Sequence, residues 1–392
     1  MNAKAVGKNR TKPHNRLIQR RLLSWYRRNK RDLPWRDTRD PYRIWVSEIM
    51  LQQTQVATVI PYYSRFIEKF PTVRALARAR VQTVLKFWEG MGYYSRARNF
   101  HRAAGLVVEQ WRGRMPEDPE SLETLPGVGR STAGAIASIA FGKPSPILDG
   151  NVKRVLCRLF AVTDDPKRPE VKNRLWERSG QLLPSGDPGS FNQALMDLGA
   201  TVCLPRNPDC GNCPVQIACR ANHLRIQDQI PVRVKSKPVP HRRMAVAVIL
   251  DGNHLLTGPR PETGLLAGLW GLPEIPDNGS ADDGNSLFRA FGELTGLELH
   301  PVARLKPVVH AYTHQRVTYL PHLLSCRRRN PAPPWKWVKR SRLKANPFST
   351  ATHRIIDQIA ELAPVIDLET LAAEETAVYS IRPVERPPSD VV

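Results

Sequence analysis

The sequence lacks a long apolar run. No uninterrupted apolar stretch approaches the roughly 20 residues that a membrane-spanning helix requires, although 41% of its 392 residues are hydrophobic. The N-terminus, MNAKAVGKNRTKPHNR, is basic and lacks the apolar core of a secretory signal. These absences argue against a membrane protein or a secreted one and predict a soluble, intracellular protein. The length is typical of two domains and a tail.

Acidic residues are in short supply. The chain has 59 Lys and Arg against 36 Asp and Glu, which gives a formal net charge of +23. Residues 1–43 contain only three acids, and a second basic run over residues 327–344 contains none. Such a charge distribution attracts a polyanion through counterion release, so nucleic acid is the first candidate partner. The alternative is a solvated surface or a loose tail.

Strand patterns are scarce over residues 16–230, where short amphipathic helices are interrupted by Gly and Pro. Apolar residues at helical spacing predict one helix over residues 44–61. Further helices are predicted over residues 72–88, 95–111, 131–141, 152–160 and 190–202. This region therefore belongs to a mainly α domain, preceded by a basic, poorly ordered arm at residues 1–15.

The sequence pattern changes from helical to strand-like after a basic, Pro-rich linker at residues 231–240. Residues 244–250 and 315–320 have strand patterns, and the first is followed by a turn at residues 251–253. We therefore predict an α+β domain over residues 241–362. A poorly ordered tail is expected at residues 363–392. The sequence shows no internal repeat.

Cysteine is rare, yet four of the six cysteines occur in one short segment. Their pattern is C-x6-C-x2-C-x5-C, formed by Cys203, Cys210, Cys213 and Cys219. Because disulfides would be reduced inside the cell, a metal centre is the better explanation. Four thiolates in one loop favour an iron–sulfur cube, with structural zinc and chance clustering as the alternatives. Cys157 and Cys326 are isolated, and we expect them to be packing residues.

The segment LPGVG at residues 125–129 lies between two helical patterns. Gly127 and Gly129 allow the backbone to turn tightly. The helix that begins near Arg130 exposes unpaired amides at its N-terminus, where a phosphate can bind without any reading of sequence. The alternative is a simple corner between two helices.

Several motifs occur together in a fixed order. LPGVG and its following helix, LDGNVK at residues 148–153, and the four-cysteine segment resemble the endonuclease III superfamily of base-excision DNA glycosylases. VSEIMLQQTQV at residues 46–56 and WEGMGYYS at residues 88–95 are more narrowly similar to MutY-type adenine DNA glycosylases. The resemblance runs from about residue 16 to residue 220, with weaker features to about residue 350.

The resemblance implies a helix-hairpin-helix glycosylase fold, mainly α, with a six-helix lobe and an iron–sulfur lobe on either side of the active site. The hairpin motif would occupy residues 122–141, and the cluster loop residues 203–219. A smaller α+β domain, similar to the Nudix fold, would follow.

Glu48 and Asp149 are the implied catalytic carboxyls. Glu48 would protonate N7 of adenine before the C–N bond breaks, and its apolar helical neighbours would raise the pKa of its carboxyl. Ionised Asp149 would stabilise the oxocarbenium-like sugar, and Asn151 matches a residue that holds the water or the sugar cation. Considered alone, Glu48 resembles a surface or paired carboxylate, and Asp149 resembles a helix N-cap.

Position 131 has no lysine. Bifunctional relatives carry a lysine there, whose amine forms a Schiff base with the sugar and cuts the strand. Ser131 cannot form this adduct. The resemblance therefore implies a mainly monofunctional glycosylase with little or no lyase activity.

Other residues match positions that contact the damaged DNA in the family. Arg36 and Gln193 match the adenine pocket, where the Gln amide offers both a donor and an acceptor. A wedge that enters the duplex and contacts the orphaned base is implied for Gln52, Gln53, Thr54 and Tyr93. Met91 belongs to the same WEGMGYYS motif as Tyr93 and stands where many relatives carry Leu. Without the family, the amide-rich stretch resembles a solvated helix face.

The second domain resembles a Nudix domain that has lost its metal-binding glutamates. Ala290 and Leu294 replace two of the three clustered glutamates, and Ala281 replaces the upstream one. Hydrolysis assisted by a divalent metal is therefore not expected. The family senses 8-oxoguanine with a loop of this domain that usually reads Phe-Ser-His. The matching residues are Tyr312, Thr313 and His314.

The resemblance thus implies an adenine DNA glycosylase that acts after base flipping, opposite 8-oxoguanine or guanine, and protects against G:C to T:A transversions. It implies one 4Fe-4S cluster on the four cysteines and double-stranded DNA with A:8-oxoguanine or A:G mispairs as the partner. The protein would be a monomer in the cytoplasm, associated with a bacterial nucleoid and not with a membrane. Protein partners in repair or replication are not identifiable from the sequence.

Three other functions fit the sequence less well. An endonuclease III-like enzyme for oxidised pyrimidines would have lyase activity, which Ser131 and the second domain disfavour. A Nudix pyrophosphohydrolase with a DNA-binding extension is disfavoured by the missing glutamates. A catalytically dead DNA-binding protein is disfavoured because Glu48 and Asp149 are both present.

Overall fold

The computed structural model describes residues 7–232, 238–277, 284–326 and 330–362. The chain forms two compact units, of which one comprises Met1–Phe87 and Ser95–Ser236. The other comprises Trp88–Tyr94 and Lys237–Val392. Some sequence-based expectations concern positions outside the described residues: Ala281, the arginines at 327–329, part of the linker and the tail after residue 362.

The first unit is helical, and side-chain caps define several helix starts. Asp40, Thr72, Asp118 and Asp187 each accept a hydrogen bond from a backbone N–H in the first turn of the helix that follows. The helices are α1 (Gly7–Asn29), α2 (Pro41–Leu51), α3 (Val56–Lys69), α4 (Val73–Arg78), α5 (Val81–Trp88), α6 (Ser95–Gln110), α7 (Pro119–Glu123), α8 (Arg130–Phe141), α9 (Gly150–Leu159), α10 (Pro169–Leu182), α11 (Pro188–Thr201) and α12 (Arg220–His223). The start of α1 lies inside the stretch that the sequence assigned to a basic arm.

The helix expected over residues 44–61 is instead two helices. α2 ends at Leu51 and α3 begins at Val56, and Gln53 in the turn between them has a φ of 58°. The apolar spacing continues across the break, so periodicity alone did not reveal it. The buried guanidinium of Arg96 binds the carbonyls of Ile49 and Met50, which α2 leaves without helical partners. Residues 72–88 likewise form two helices, α4 and α5.

The helices of the first unit fall into two groups, and each group packs around its own set of buried side chains. Aromatic rings from α2, α3 and α6 meet in one group, where Trp45 and Phe100 have ring centroids 4.6 Å apart. The other core draws on α1 and on α8 to α11, with Leu22, Leu175 and Phe191 fully buried. Asp149 lies at the start of α9 in the second group and Glu48 on α2 in the first, so the carboxyls come from different groups.

The second unit contains a mixed sheet. Its central pair, β1 (His241–Asp251) and β7 (Arg316–Cys326), is parallel, and the other pairs are antiparallel. The other elements are β2 (His254–Pro259), β3 (Trp270–Gly271), β4 (Glu274–Pro276), α13 (Gly284–Thr295), β5 (Leu299–Arg304), β6 (Val308–Ala311), β8 (Lys336–Lys339) and α14 (Thr350–Leu362). The strand order is β3-β2-β1-β7-β5, with β4 paired to β1, β6 to β7 and β8 to β2.

The buried apolar residues of β1 contribute side chains to both faces of this sheet. Successive side chains of a strand point to opposite faces. Val246 and Val248 therefore pack with Ile355 of α14, whereas Ala247 and Ile249 pack with Phe291 of α13. A helix on each face explains why residues 245–250 are apolar without alternation. The α+β character expected of the second domain is confirmed.

In the portions of the chain that the structure describes, no helix is both long enough and apolar enough to cross a bilayer.

Candidate active site and DNA-binding elements

Glu48 lies on α2 between the buried residues Ser47 and Ile49. Burial, as the larger cause, and the nearby carboxylate of Asp149 together raise the pKa of its carboxyl to about 7. The positive charge of Arg36 acts in the opposite direction. A carboxyl with this pKa holds its proton in a large fraction of molecules near neutral pH, as a general acid must.

Asp149 is the N-cap of α9, and its Oδ1 accepts a hydrogen bond of 2.7 Å from the backbone N–H of Val152. Burial raises the pKa of this carboxyl as well. Hydrogen bonds from the Val152 and Asn151 amides and the positive charges of Arg154 and Lys153 act against that rise. Asp149 thus has both hydrogen-bond donors and cations that favour its ionised form and oppose the effect of burial, whereas Arg36 is the cation that lowers the pKa of Glu48.

Asn151 is held by an arginine that the sequence analysis did not identify. The Oδ1 of Asn151 accepts a hydrogen bond of 2.8 Å from Nη2 of Arg154. The same guanidinium donates to the carbonyl oxygen of Gly199, at 2.6 Å, and to that of Cys203, at 2.8 Å. Arg154 therefore connects the start of α9 with the end of α11 and with the first cysteine of the four-cysteine segment.

Ser131 has a structural partner close to Asp149. Its Oγ accepts a hydrogen bond of 3.0 Å from the backbone N–H of Leu148, the residue before Asp149. The side chain thereby fixes the loop that leads into α9 to the first turn of α8. A hydroxyl at this position holds the backbone and offers no amine.

The glycine hairpin leaves the first amides of α8 without a capping side chain. Gly127 has a φ of 82°, a conformation that side chains other than glycine rarely adopt. Gly129 is the N-cap of α8 and provides no capping side chain, so the first amides of this helix keep their donors. The amide of Gln52 donates to the carbonyl of Gly127 and to the hydroxyl of Thr132, both at 3.2 Å, and braces the hairpin.

Gln52, Gln53 and Thr54 lie in the turn between α2 and α3 and not on a helix face. Arg96 holds this turn, because its Nη2 donates to the hydroxyl of Thr54 at 2.8 Å and its Nη1 donates to the carbonyl of Gln52. Gln53 is exposed at the tip of the turn. Sequence analysis missed Arg96, since nothing in the motif SRARN indicates a buried guanidinium.

Arg36 and Gln193 line one cavity of about 490 Å³ in the first unit, and neither Glu48 nor Asp149 is among its lining residues. The guanidinium of Arg36 is 6% exposed. Its Nη2 lies 2.8 Å from Oδ1 of Asp197, and its Nη1 donates to the hydroxyl of Tyr26. Asp197 is a further residue that the sequence analysis did not identify.

Met91 and Tyr93 belong to the Trp88–Tyr94 segment of the second unit. Tyr93 has a φ of 48° and is 38% exposed, whereas Met91 is 5% exposed. The structure therefore presents the tyrosine at the surface and packs the methionine inside.

Tyr312, Thr313 and His314 lie in the hairpin turn between β6 and β7. The hydroxyl of Tyr312 is 2.8 Å from that of Tyr319, which anchors this ring to the sheet. Thr313 and His314 are exposed at the tip. The hydroxyl of Thr313 is 2.7 Å from that of Tyr93, within the same compact unit. Anchored aromatics thus support the two exposed polar residues.

The degenerate Nudix motif falls on α13. Its remaining acid, Glu293, is exposed, and Leu294 occupies the neighbouring position where a working enzyme needs a carboxylate. Within the described residues, no group of three or more His, Cys, Asp or Glu is arranged to hold a metal ion. The expectation about Ala281 concerns a position outside those residues.

The four cysteines of the 203–219 segment form no disulfides and act on one another electrostatically. Burial, as the largest cause, and the other three thiols together raise the pKa of Cys213 to about 12. In the described part of the chain, no group of three or more His, Cys, Asp or Glu is arranged to hold a metal ion. Thiolates are soft donors that suit an iron–sulfur cube or structural zinc.

Two contacts support this cysteine segment from α9. The Nη1 of buried Arg158 is 3.3 Å from Sγ of Cys203, and the carbonyl of Arg158 lies 3.5 Å from Sγ of Cys219. The isolated Cys157 and Cys326 are both buried without a disulfide partner.

A helical unit with a glycine hairpin, a carboxyl pair and a four-cysteine segment defines the class of helix-hairpin-helix base-excision DNA glycosylases. Residues 46–181 match the family described as HhH-GPD superfamily base excision DNA repair protein, and residues 245–358 match the NUDIX domain family. The fold is similar to that of a thermostable thymine-DNA glycosylase. That comparison has a TM-score of 0.50 and 30% sequence identity, and it covers 55% of this chain and 99% of the other.

Sequence relatives define the family more narrowly. The chain is 37% identical to the adenine DNA glycosylase of Rattus norvegicus over 396 residues, which cover 86% of this chain and 77% of the relative. It is 38% identical to the adenine DNA glycosylase of Homo sapiens over 395 residues, with coverage of 85% and 72%. The chain therefore belongs to the adenine DNA glycosylase family of base-excision repair enzymes, and the resemblance inferred from its motifs is confirmed.

Proposed function

We propose that this enzyme hydrolyses the N-glycosidic bond of adenine that is mispaired with 8-oxoguanine or with guanine, and thereby limits G:C to T:A transversions. The observation that carries the proposal is the carboxyl pair of Glu48 and Asp149, in which burial and the second charge raise the pKa of Glu48 to about 7. The two carboxyls have unlike surroundings, which suits an acid and an ionised stabiliser in one site.

In the proposed reaction, Glu48 donates its proton to N7 of the flipped adenine. Protonation makes adenine a better leaving group, and the C–N bond then breaks with positive charge developing on the sugar. The base must leave the duplex stack first, at a cost of a few kcal/mol. The hairpin amides of Gly129 and α8 hold a phosphate of the strand while this happens.

Asp149 stabilises the oxocarbenium-like sugar that the departing base leaves behind. The cap contact from Val152 keeps one carboxylate oxygen fixed at 2.7 Å, so the charge is in place before the transition state forms. Asn151, held by Arg154, orients the water that completes the hydrolysis. Ser131 provides no amine for a Schiff base, so the enzyme is mainly monofunctional.

Recognition of the opposite base is assigned to two surfaces. One is the turn of Gln52, Gln53 and Thr54, which Arg96 stabilises. The other is the pair of Thr313 and Tyr93, whose hydroxyls are 2.7 Å apart. A hydroxyl can donate or accept, as is needed to distinguish the O8 carbonyl and N7–H of 8-oxoguanine from guanine.

The four cysteines are proposed to hold one 4Fe-4S cluster, through their thiolates. When bound, the cluster supplies structural cross-linking of the segment over residues 203–219 and no step of the hydrolysis. Arg158 supports the segment from α9, and Arg154 connects it to Asn151. We therefore expect loss of the cluster to impair folding and DNA affinity before it affects chemistry.

One assay tests the proposal against its rivals. The protein is incubated with duplexes that carry A:8-oxoguanine, A:G, an oxidised pyrimidine or no lesion, and the released base is identified by mass. Release of adenine from the first two duplexes alone is the expected result. Release of the oxidised pyrimidine with strand cleavage would identify an endonuclease III-like enzyme, and binding without base release would identify an inactive binding protein.

A further inference from the structure

Asp197 is a carboxylate in the interior of the first unit. It lies on α11, its side chain is 0% exposed, and it is shared by two arginines. Arg31 donates to its Oδ1 from Nε at 2.8 Å and from Nη2 at 2.6 Å. Arg36 donates to the same oxygen from Nη2 at 2.8 Å. A buried charge is retained only with such partners, because its desolvation is otherwise too costly.

The contact immobilises Arg36 at the wall of the cavity that it shares with Gln193. The Tyr26 hydroxyl accepts from the other terminal nitrogen of Arg36, and the guanidinium lies 5.4 Å from the centre of the Tyr26 ring. Arg36 therefore has a fixed side chain before any base enters. Its position depends on Asp197 and Tyr26 together.

Arg36 also affects the catalytic acid, because its positive charge favours the ionised form of Glu48 and opposes the rise in that group's pKa. An acid that is to donate a proton is impaired by a neighbouring uncompensated cation. Asp197 is the anion in direct contact with this cation.

We propose that Asp197 is a positioning residue for adenine excision: it fixes Arg36 beside the cavity and offsets the charge that Arg36 exerts on Glu48. This inference rests on the proposed function, since it assumes that Glu48 acts in its protonated form. It adds a role for a residue on α11 that does not itself touch the reacting atoms.

Among the described residues, few other charged or titratable groups surround Glu48, so few of them could change its pKa in place of Asp197. Asp149 at the start of α9 raises the pKa of Glu48, and Arg36 lowers it. From α6, the buried guanidinium of Arg96 contacts the C-terminal carbonyls of α2. The groups packed around Arg36 are Tyr26 from α1, Arg31 from the following loop and Asp197 from α11. Changes to Asp197 and Arg31 thus alter the local charge without touching Glu48, Asp149 or Arg96.

The test is the pH dependence of single-turnover adenine release by the full-length protein. Activity that needs protonated Glu48 falls as pH rises through about 7, the pKa of that group. Asp197→Asn leaves two guanidiniums uncompensated, so we expect this alkaline limb to move down by about one pH unit. Because less Glu48 would then be protonated, the rate at pH 7.5 should fall about tenfold. Most of this loss should be recovered near pH 5.5, where Glu48 is mostly protonated in both proteins.

Three matched variants separate charge from structure. Arg31→Met removes the other cation on Asp197, and we expect the alkaline limb to move in the opposite direction, to higher pH. This side chain is 27% exposed, so the variant remains informative even if Asp197→Asn does not fold. Tyr26→Phe removes one contact to Arg36 but keeps its ion pair with Asp197 and changes no charge, so it should leave the limb in place. Asp197→Glu should restore the wild-type limb.

A substrate-free measurement keeps this inference distinct from the proposed function. The carboxyl carbon of Glu48 is titrated by NMR in wild-type and variant proteins without DNA, with Glu48→Gln used for assignment. A midpoint that is the same in wild type, Asp197→Asn and Arg31→Met would overturn the inference, as would a rate that falls equally at every pH. Absence of adenine release by the wild type would overturn the proposed function alone, because the titration does not depend on it.

Discussion

Replacement of Glu48 by glutamine is the sharpest perturbation of the proposed active site. Glutamine keeps the size and polarity of the side chain and removes the transferable proton. General acid–base catalysis contributes about 10²–10⁴-fold to rate, so we expect single-turnover adenine release by Glu48→Gln to fall by about that factor. Affinity for the A:8-oxoguanine duplex should be retained, because the size and polarity of the side chain are kept and the hairpin and wedge residues are unchanged.

The same substitution should stabilise the fold, and the raised pKa gives the size of the effect. The ordinary pKa of a glutamate is 4.5, and that of Glu48 in the folded protein is about 7. Stability that depends on neutral Glu48 is complete below about pH 4.5 and is lost as pH rises through about 7. The difference of about 2.5 pKa units corresponds to about 3 kcal/mol. Glu48→Gln avoids this loss.

We therefore expect the unfolding free energy of Glu48→Gln to exceed that of wild type by about 2–3 kcal/mol at pH 8. The two proteins should differ little at pH 4. Urea unfolding followed by tryptophan fluorescence at both pH values measures this, and Glu68→Gln, which changes an exposed glutamate of α3, is the control. Near-normal excision by Glu48→Gln, or equal stability at pH 8, would refute the assignment of Glu48 as a buried acid.

Three other predictions follow from the site. Borohydride added during turnover should trap little protein on DNA, because Ser131 has no amine; abundant trapping by the wild type would contradict this, and Ser131→Lys should introduce measurable trapping. Cys210→Ser should lose iron from a wild-type content of about four per chain, as measured by elemental analysis of anaerobically purified protein, and zinc in place of iron would reject the cluster. Thr313→Ala should lose about 1–3 kcal/mol of the preference for A:8-oxoguanine over A:G, and Thr313→Ser should keep it. An unchanged preference in Thr313→Ala would assign recognition wholly to the turn over residues 52–54.

Motifs with strong local constraints were predictable from sequence. The hairpin at residues 125–129 needs glycine for its backbone conformation, and Gly127 has the positive φ that such a turn requires. The α+β domain was predictable from the apolar run in β1. The break between α2 and α3 was not, because apolar spacing continues across it and the residue that stabilises it, Arg96, lies more than 40 positions away.

The same limitation applies with greater force to the charges around Glu48. The family resemblance implied that Glu48 is the acid, and the sequence predicted that apolar neighbours on its own helix would raise the pKa of its carboxyl. It did not indicate that Arg36 would oppose this effect, or that Asp197 would lie against Arg36, because the three residues belong to α2, a loop and α11. Electrostatic effects depend on distance in space and on burial, and neither quantity is encoded locally. The protonation state of Glu48 is consequently a property of the assembled first unit, and it should respond to substitutions on elements that carry none of the family's catalytic motifs.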